Sequence, residues 1–222
     1  DFSGFPRADL VIEAVFEELS VKRSVVADLE ATVGERAIIA TNTSTIPITD
    51  IAAGAHHPDR VLGMHFFSPV DRMPLLEVIP GAATSPDAIA TAVQFGRRMG
   101  KTVIVVADRP GFWVNRILSP YLNEAGHLLT EGTPIEAIDR TMTRFGFPVG
   151  PIALLDEVGL DVAAKGGGVM HQAFGERLAP ADVIGRMLAD KRLGRNSGGG
   201  FYRYQDGKQA AVDAEVYRLL SI

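Results

Sequence analysis

A chain of 222 residues that is 46% hydrophobic and 22% charged can bury a sizeable core, as one large domain or two small ones. Its net charge of −5, with no basic stripe interleaved with aromatics, gives no support to nucleic-acid binding. The absence of cysteine excludes disulfides and thiolate metal sites and fits a reducing compartment. No apolar run approaches the ~20 residues that span a bilayer. No signal peptide opens the sequence, which begins on Asp1 in mid-phrase and reads as a piece of something longer.

Residues 1–108 alternate strand and helix. LVIEAV at 10–15 is a short apolar strand, and Ser20 is the expected N-cap of an amphipathic helix closed by Gly34. AIIAT at 37–41 is the next strand and ends in the polar cluster Asn42, Thr43, Ser44, Thr45. Pro47 fits the first position of a short helix. Two strands follow within RVLGMHFFSPVDRMPLLEVIPG, residues 60–81. Ser85-Pro86 starts a helix running to Gly100, and KTVIVV at 101–106 reads as a further buried strand. Such alternation predicts a mostly parallel sheet with helices on its faces, and ligands bind such sheets beyond the carboxyl ends of the strands. Glu17, Asn42 to Ser44 and His65 to Ser68 all fall at or just past those ends.

From Asp108 the character changes. DRPGF reads as a linker, and residues 109–222 read as a helical domain. Helices are predicted over 112–131 with Pro120 inside, from Pro134 to Gly146, from Pro151 through LLDEVG, over 160–174 despite Gly166 to Gly168, and from Pro180 to about Arg192. GRNSGGGFYRY at 194–204 is a glycine-rich loop before a short extended piece, and Val212 to Leu220 forms a last helix.

The residues that carry chemistry are His65 and Glu77. The connection between their strands is too short for a helical crossover, so the strands are expected to be antiparallel neighbours. With the turn centred on Asp71, each residue stands six positions from the centre and the two face each other. A carboxylate inside LLEVI needs a partner, and an imidazole across the ladder is a suitable one. A carboxylate on one ring nitrogen fixes the tautomer and leaves the other nitrogen to act as a general base. Asn115 stands near a helix N-terminus, where an amide can hold an oxygen that gains charge, although its position alone reads as an ordinary first-turn asparagine. GRNSGGG reads as a solvated turn rather than a phosphate cradle, His56-His57 as a surface loop rather than a metal site, and His127 and His171 as structural.

NTST at 42–45, HFFSPV at 65–70, LLEVI at 75–79, PGFWVNR at 110–116, FGFPVGP at 145–151, LLDEVGLD at 154–161 and GRNSGGGFY at 194–202 resemble the 3-hydroxyacyl-CoA dehydrogenases. The likeness runs over nearly the whole chain in the right order and is nearest to the multifunctional α subunit of fatty-acid β-oxidation, which joins an enoyl-CoA hydratase to this dehydrogenase. It implies a Rossmann-like α/β domain followed by an all-α domain that binds substrate and pairs subunits. It implies NAD-dependent oxidation of L-3-hydroxyacyl-CoA to 3-ketoacyl-CoA, without a metal, in the cytoplasm or the mitochondrial matrix. The partners it implies are a second copy or a thiolase subunit. By the same resemblance His65 takes the hydroxyl proton, Glu77 orients it, and Ser44 and Asn115 hold the substrate oxygens. Val15, Phe16, Glu17, Lys22, Ser44 and Ser68 then contact the cofactor, with Ser68 standing where the family more often has Asn. The glycine-rich dinucleotide turn, G-x-G-x-x-G after a strand, does not occur in this sequence. The expectation is therefore a truncated cofactor platform with the 10–15 strand as a sheet edge that a second copy or a packing contact covers. Two readings result: an oxidoreductase in the parent protein, or a non-catalytic binding and assembly module in the isolated chain.

Overall fold

The computed structural model describes residues 4–221. The chain divides into two compact units, Asp1–Asn115 and Arg116–Ile222.

The first unit is built on a five-stranded sheet in the order β1 (Leu10–Glu13), β2 (Ile38–Thr41), β3 (Val61–Phe66), β4 (Leu75–Pro80), β5 (Thr102–Val105). All neighbours are parallel except β3 and β4, which are antiparallel. Side-chain alternation gives the sheet two buried faces. Ile39, Val61 and Ile79 pack on one face with Val26 and Leu29 of α1 (Leu19–Glu30), with Ile48 and Ile51 of α2 (Ile48–Ile51), and with Phe112. Ile38, Ala40, Leu62, Met64, Leu76 and Val78 pack on the other face with Ala88 and Ala92 of α3 (Pro86–Arg98). Each fully buried aliphatic side chain contributes about 1.5–3 kcal/mol, so the register of this sheet is strongly fixed.

Three local expectations are corrected. The first strand stops at Glu13, because the Glu13 carboxylate takes the Val15 N–H at 2.9 Å and turns the chain out of the ladder. Glu18, in extended conformation, holds the N-cap position of α1, and Ser20 lies inside the helix with its hydroxyl donating to Glu18 at 2.6 Å. The 101–106 strand is an edge rather than a buried strand, with Thr102 and Val105 exposed. The expected Ser85 cap is present, its Oγ accepting the Ala88 N–H.

The second unit contains α4 (Val114–Thr130, beginning just before the unit boundary), α5 (Ile135–Phe145), α6 (Pro151–Val158), α7 (Leu160–Phe174), α8 (Val183–Ala189) and α9 (Ala214–Leu220). Their core gathers Leu129, Ile135, Ile152, Leu160, Met187, Phe201 and Val216. It is helical as expected, with one departure from an all-α domain: β6 (Tyr202–Gln205) and β7 (Lys208–Val212) form an antiparallel hairpin. Asp206 and Gly207 both adopt positive φ in its turn, the backbone that a two-residue hairpin favours. The helix expected from Pro180 begins only at Val183 and ends at Ala189, where Lys191 at φ 60° reverses the chain.

The loop at 194–200 is exposed at its tip, Arg195 to Gly198, as a solvated turn would be, but it is tied down at both ends. Its ends are buried against Asp156, which accepts the Phe201 and Tyr202 N–H groups at 3.0 and 2.9 Å and the Tyr204 hydroxyl at 3.3 Å. A Cβ on Gly200 would overlap the Asp156 carboxylate, and one on Gly194 would overlap the Asp156 backbone, so both positions need glycine. Burial pushes the Asp156 carboxyl up to about 6, against the pull of its N–H and hydroxyl donors. Asp139 serves α6 in the same way, accepting from Ile152 N–H, Ala153 N–H and the Tyr202 hydroxyl at 2.8–3.0 Å.

Candidate active site

His65 and Glu77 are directly paired across the antiparallel ladder and lie on the sheet face that carries Ile79 and Phe112. His65 Nδ1 is 2.7 Å from Glu77 Oε2, with His65 4% exposed and Glu77 fully buried. A carboxylate can only accept, so Nδ1 carries the hydrogen and donates it; in the neutral ring the lone pair is then on Nε2. Nε2 takes no bond among the described residues. The imidazole is held from the sides by the rings of Phe67 and Phe112, at centroid distances of 4.5 and 5.8 Å.

The other Glu77 oxygen has partners that spacing did not reveal. Oε1 accepts the backbone N–H groups of Trp113 at 3.0 Å and Val114 at 2.9 Å. These are the free donors at the start of α4, and the positive end of that helix stabilises the buried anion. The chain delivers them by turning sharply: Gly111 and Phe112 both have positive φ, at 73° and 47°. Phe112 is not suited to that backbone, and its almost complete burial beside the histidine holds it there. Glu77 is thus the buried base partner and the N-terminal acceptor of α4 at once.

Asn115, in the first turn of α4, donates from Nδ2 to the Ser44 carbonyl at 3.0 Å. The half-buried Ser44 keeps its hydroxyl unbonded among the described residues, its N–H going to Glu17. Glu17 organises that turn: Oε1 accepts the Thr43 hydroxyl at 2.6 Å, the Ser44 N–H at 2.9 Å, the Thr45 N–H at 3.0 Å and the Thr45 hydroxyl at 3.2 Å. Burial pushes the Glu17 carboxyl up, but these donors and the Lys22 charge outweigh it and hold the group below its ordinary value. Asn42 ties the same turn to β3, its Oδ1 accepting the Phe66 N–H at 2.9 Å.

Lys22 is wholly buried. Its ammonium bonds both Glu13 oxygens at 3.0 and 3.2 Å and the Val15 carbonyl at 3.4 Å, with Glu17 Oε2 at 3.5 Å. It supports the 13–17 turn from beneath, while Val15 (39% exposed) and Phe16 (67% exposed) stand on the surface at the carboxyl end of β1. Ser68 is exposed, in the connection between β3 and β4. Glu13 was missed by sequence reasoning, although a carboxylate inside LVIEAV raises the same question as Glu77 inside LLEVI. The other histidines bring no ligand together. His56 and His57 give their N–H groups to Glu30, His127 bonds Asn123 and the Ala179 carbonyl, His171 bonds the Gly175 carbonyl, and no metal-binding cluster occurs among the described residues.

Two family models match in tandem: the 3-hydroxyacyl-CoA dehydrogenase NAD binding domain over residues 1–109 and the C-terminal domain of the same family over 111–204. The chain belongs to the 3-hydroxyacyl-CoA dehydrogenase family. The fatty acid oxidation complex subunit alpha of Idiomarina loihiensis is 53% identical over the whole chain, which spans about a third (32%) of that relative's length. Among solved structures, FadB2 of M. tuberculosis is 38% identical, with a TM-score of 0.89 over 92% of this chain and 74% of that one. The (S)-3-hydroxybutyryl-CoA dehydrogenase of Ralstonia eutropha is 40% identical, with a TM-score of 0.89 over 93% and 74%. What these matches share is the family's NAD binding domain followed by its C-terminal domain. No helix among the described residues is long and apolar enough to cross a membrane.

Proposed function

We propose that this chain carries the catalytic residues of an NAD-dependent L-3-hydroxyacyl-CoA dehydrogenase acting in fatty-acid β-oxidation. The observation that carries the proposal is the buried His65–Glu77 pair with its base nitrogen left open. His65 Nε2 accepts the proton of the 3-hydroxyl, and the imidazolium that forms is matched by the Glu77 carboxylate. That carboxylate also accepts the Trp113 and Val114 N–H groups at the start of α4, which hold it in place beside the ring. Ser44, through its free hydroxyl, and Asn115, through the amide hydrogen not committed to Ser44, hold the substrate oxygen.

The residues at the carboxyl edge of the sheet fit the nicotinamide end of NAD. Val15 and Phe16 present exposed apolar surface there, the Ser44 hydroxyl is uncommitted, and Lys22 and Glu17 fix the backbone that carries them. NAD, when bound, supplies the acceptor for the hydride that leaves C3. Glu17 and Lys22 act on the cofactor through the turn they hold, and Ser68 offers a hydroxyl from the next strand end. In this reading the intact protein pairs with a second copy or with a thiolase subunit, in the cytoplasm or the mitochondrial matrix. The 53% identity to a subunit of a fatty acid oxidation complex supports the pairing with a partner subunit.

The test is NADH absorbance on mixing the intact protein with NAD and an L-3-hydroxyacyl-CoA. Turnover specific to the L enantiomer supports the proposal. Failure to reduce NAD across short, medium and long acyl chains refutes it.

A further inference from the structure

The connection between β3 and β4 carries Ser68 and separates His65 from Glu77. Within it, the Arg72 and Met73 N–H groups donate to the Pro69 carbonyl at 3.0 and 2.9 Å, which makes one helical turn. A continuing helix would give the Val70 carbonyl the N–H four residues on, but that residue is Pro74, which has none. Lys101 supplies the missing donor. Its ammonium bonds the Val70 carbonyl at 2.5 Å and the Met73 carbonyl at 2.8 Å. The backbone brings it there, because Thr102 N–H donates to the Pro74 carbonyl at 2.8 Å and Thr102 pairs with Leu75 in the β4–β5 ladder. The turn so closed presents two apolar side chains outward, Val70 at 49% and Met73 at 39% exposure.

We propose that Lys101 is a positioning residue for the acyl-CoA substrate: it clamps the 69–73 turn so that Val70 and Met73 form a fixed apolar wall on the connection that joins the strands of the catalytic pair. This deepens the dehydrogenase reading above and rests on it. Lys101 touches neither His65 nor Glu77, so proton transfer does not depend on it. What the clamp removes is the conformational freedom of a short exposed turn, which otherwise has to be ordered each time substrate binds.

The experiment compares Lys101→Met and Lys101→Arg with the parent sequence in the intact protein. Methionine keeps the aliphatic stem and loses every donor, whereas arginine keeps donors. The expected result for K101M is a KM for hydroxyacyl-CoA raised about tenfold, or about 1.4 kcal/mol. Its kcat and the pH dependence of kcat stay unchanged, amide exchange at Arg72 and Met73 is faster, and K101R restores most of the KM. Unchanged KM with unchanged exchange overturns the proposal. So does a fall in kcat at constant KM, or a loss of thermal stability that tracks the loss of activity and is not rescued by arginine. The exchange measurement needs no turnover. A protein that oxidises no hydroxyacyl-CoA therefore refutes the dehydrogenase reading itself, while exchange still decides whether the clamp exists.

Discussion

Replacing Glu77 with glutamine tests how the buried pair works with almost no change in volume. The carboxylate now accepts three N–H groups: His65 on one oxygen, and Trp113 and Val114 on the other. An amide has one oxygen and one NH2. If the oxygen stays with the two helix donors, the NH2 faces Nδ1, which must then accept. The hydrogen moves to Nε2, and the nitrogen that should take the substrate proton is blocked. Loss of a positioned general base costs ~10²–10⁴ in rate, and an imidazole locked in the wrong tautomer lies at the upper end of that range. If the amide flips instead, the two α4 donors meet an NH2, and losing hydrogen bonds to a buried charged acceptor costs about 1.5–3 kcal/mol of stability. Either way the substitution cannot be silent. The assay is NADH formation at saturating substrate, with thermal unfolding and imidazole ¹⁵N shifts measured on the same sample. A kcat within tenfold of the parent, with Nδ1 still protonated and thermal unfolding unchanged, refutes the reasoning.

Further outcomes are expected elsewhere. Lys22→Met leaves the buried Glu13 carboxylate without its ammonium and should destabilise the first unit by about 3–5 kcal/mol, read by denaturant unfolding. Gly200→Ala forces a methyl into the Asp156 carboxylate and should cost about 2–3 kcal/mol in the second unit, read by its melting transition. Asp156 has a folded pKa of about 6, above its ordinary 3.8. Its contribution is therefore fully present below the unfolded value and is lost as pH rises through about 6, some 3 kcal/mol in all. Subtracting the stability of Asp156→Asn from that of the parent at each pH between ~4 and ~7 should isolate that slope, and a difference that does not fall with rising pH contradicts it.

Much of the site was legible because it rests on short-range geometry. The hairpin count about Asp71 sets His65 against Glu77, and a carboxylate in an apolar strand demands a partner. The same signal was present at Glu13, whose partner lies nine residues away on α1. What could not be read depends on distant backbone. The α4 donors on Glu77 come from 36 and 37 residues downstream, and only a left-handed Phe112 aims them. The 194–200 loop likewise looks solvated until Asp156, 44 to 46 residues upstream of its anchors, is seen to dock it. The hairpin at 202–212 was not read beyond a short extended piece, because its residues are largely exposed and lack the apolar alternation that marks a strand.

The decisive measurement is the turnover of His65→Gln in the intact protein, with substrate and NADH binding followed in parallel. The account predicts binding close to that of the parent and a rate lower by ~10²–10⁴. A rate unchanged by the loss of the imidazole contradicts it.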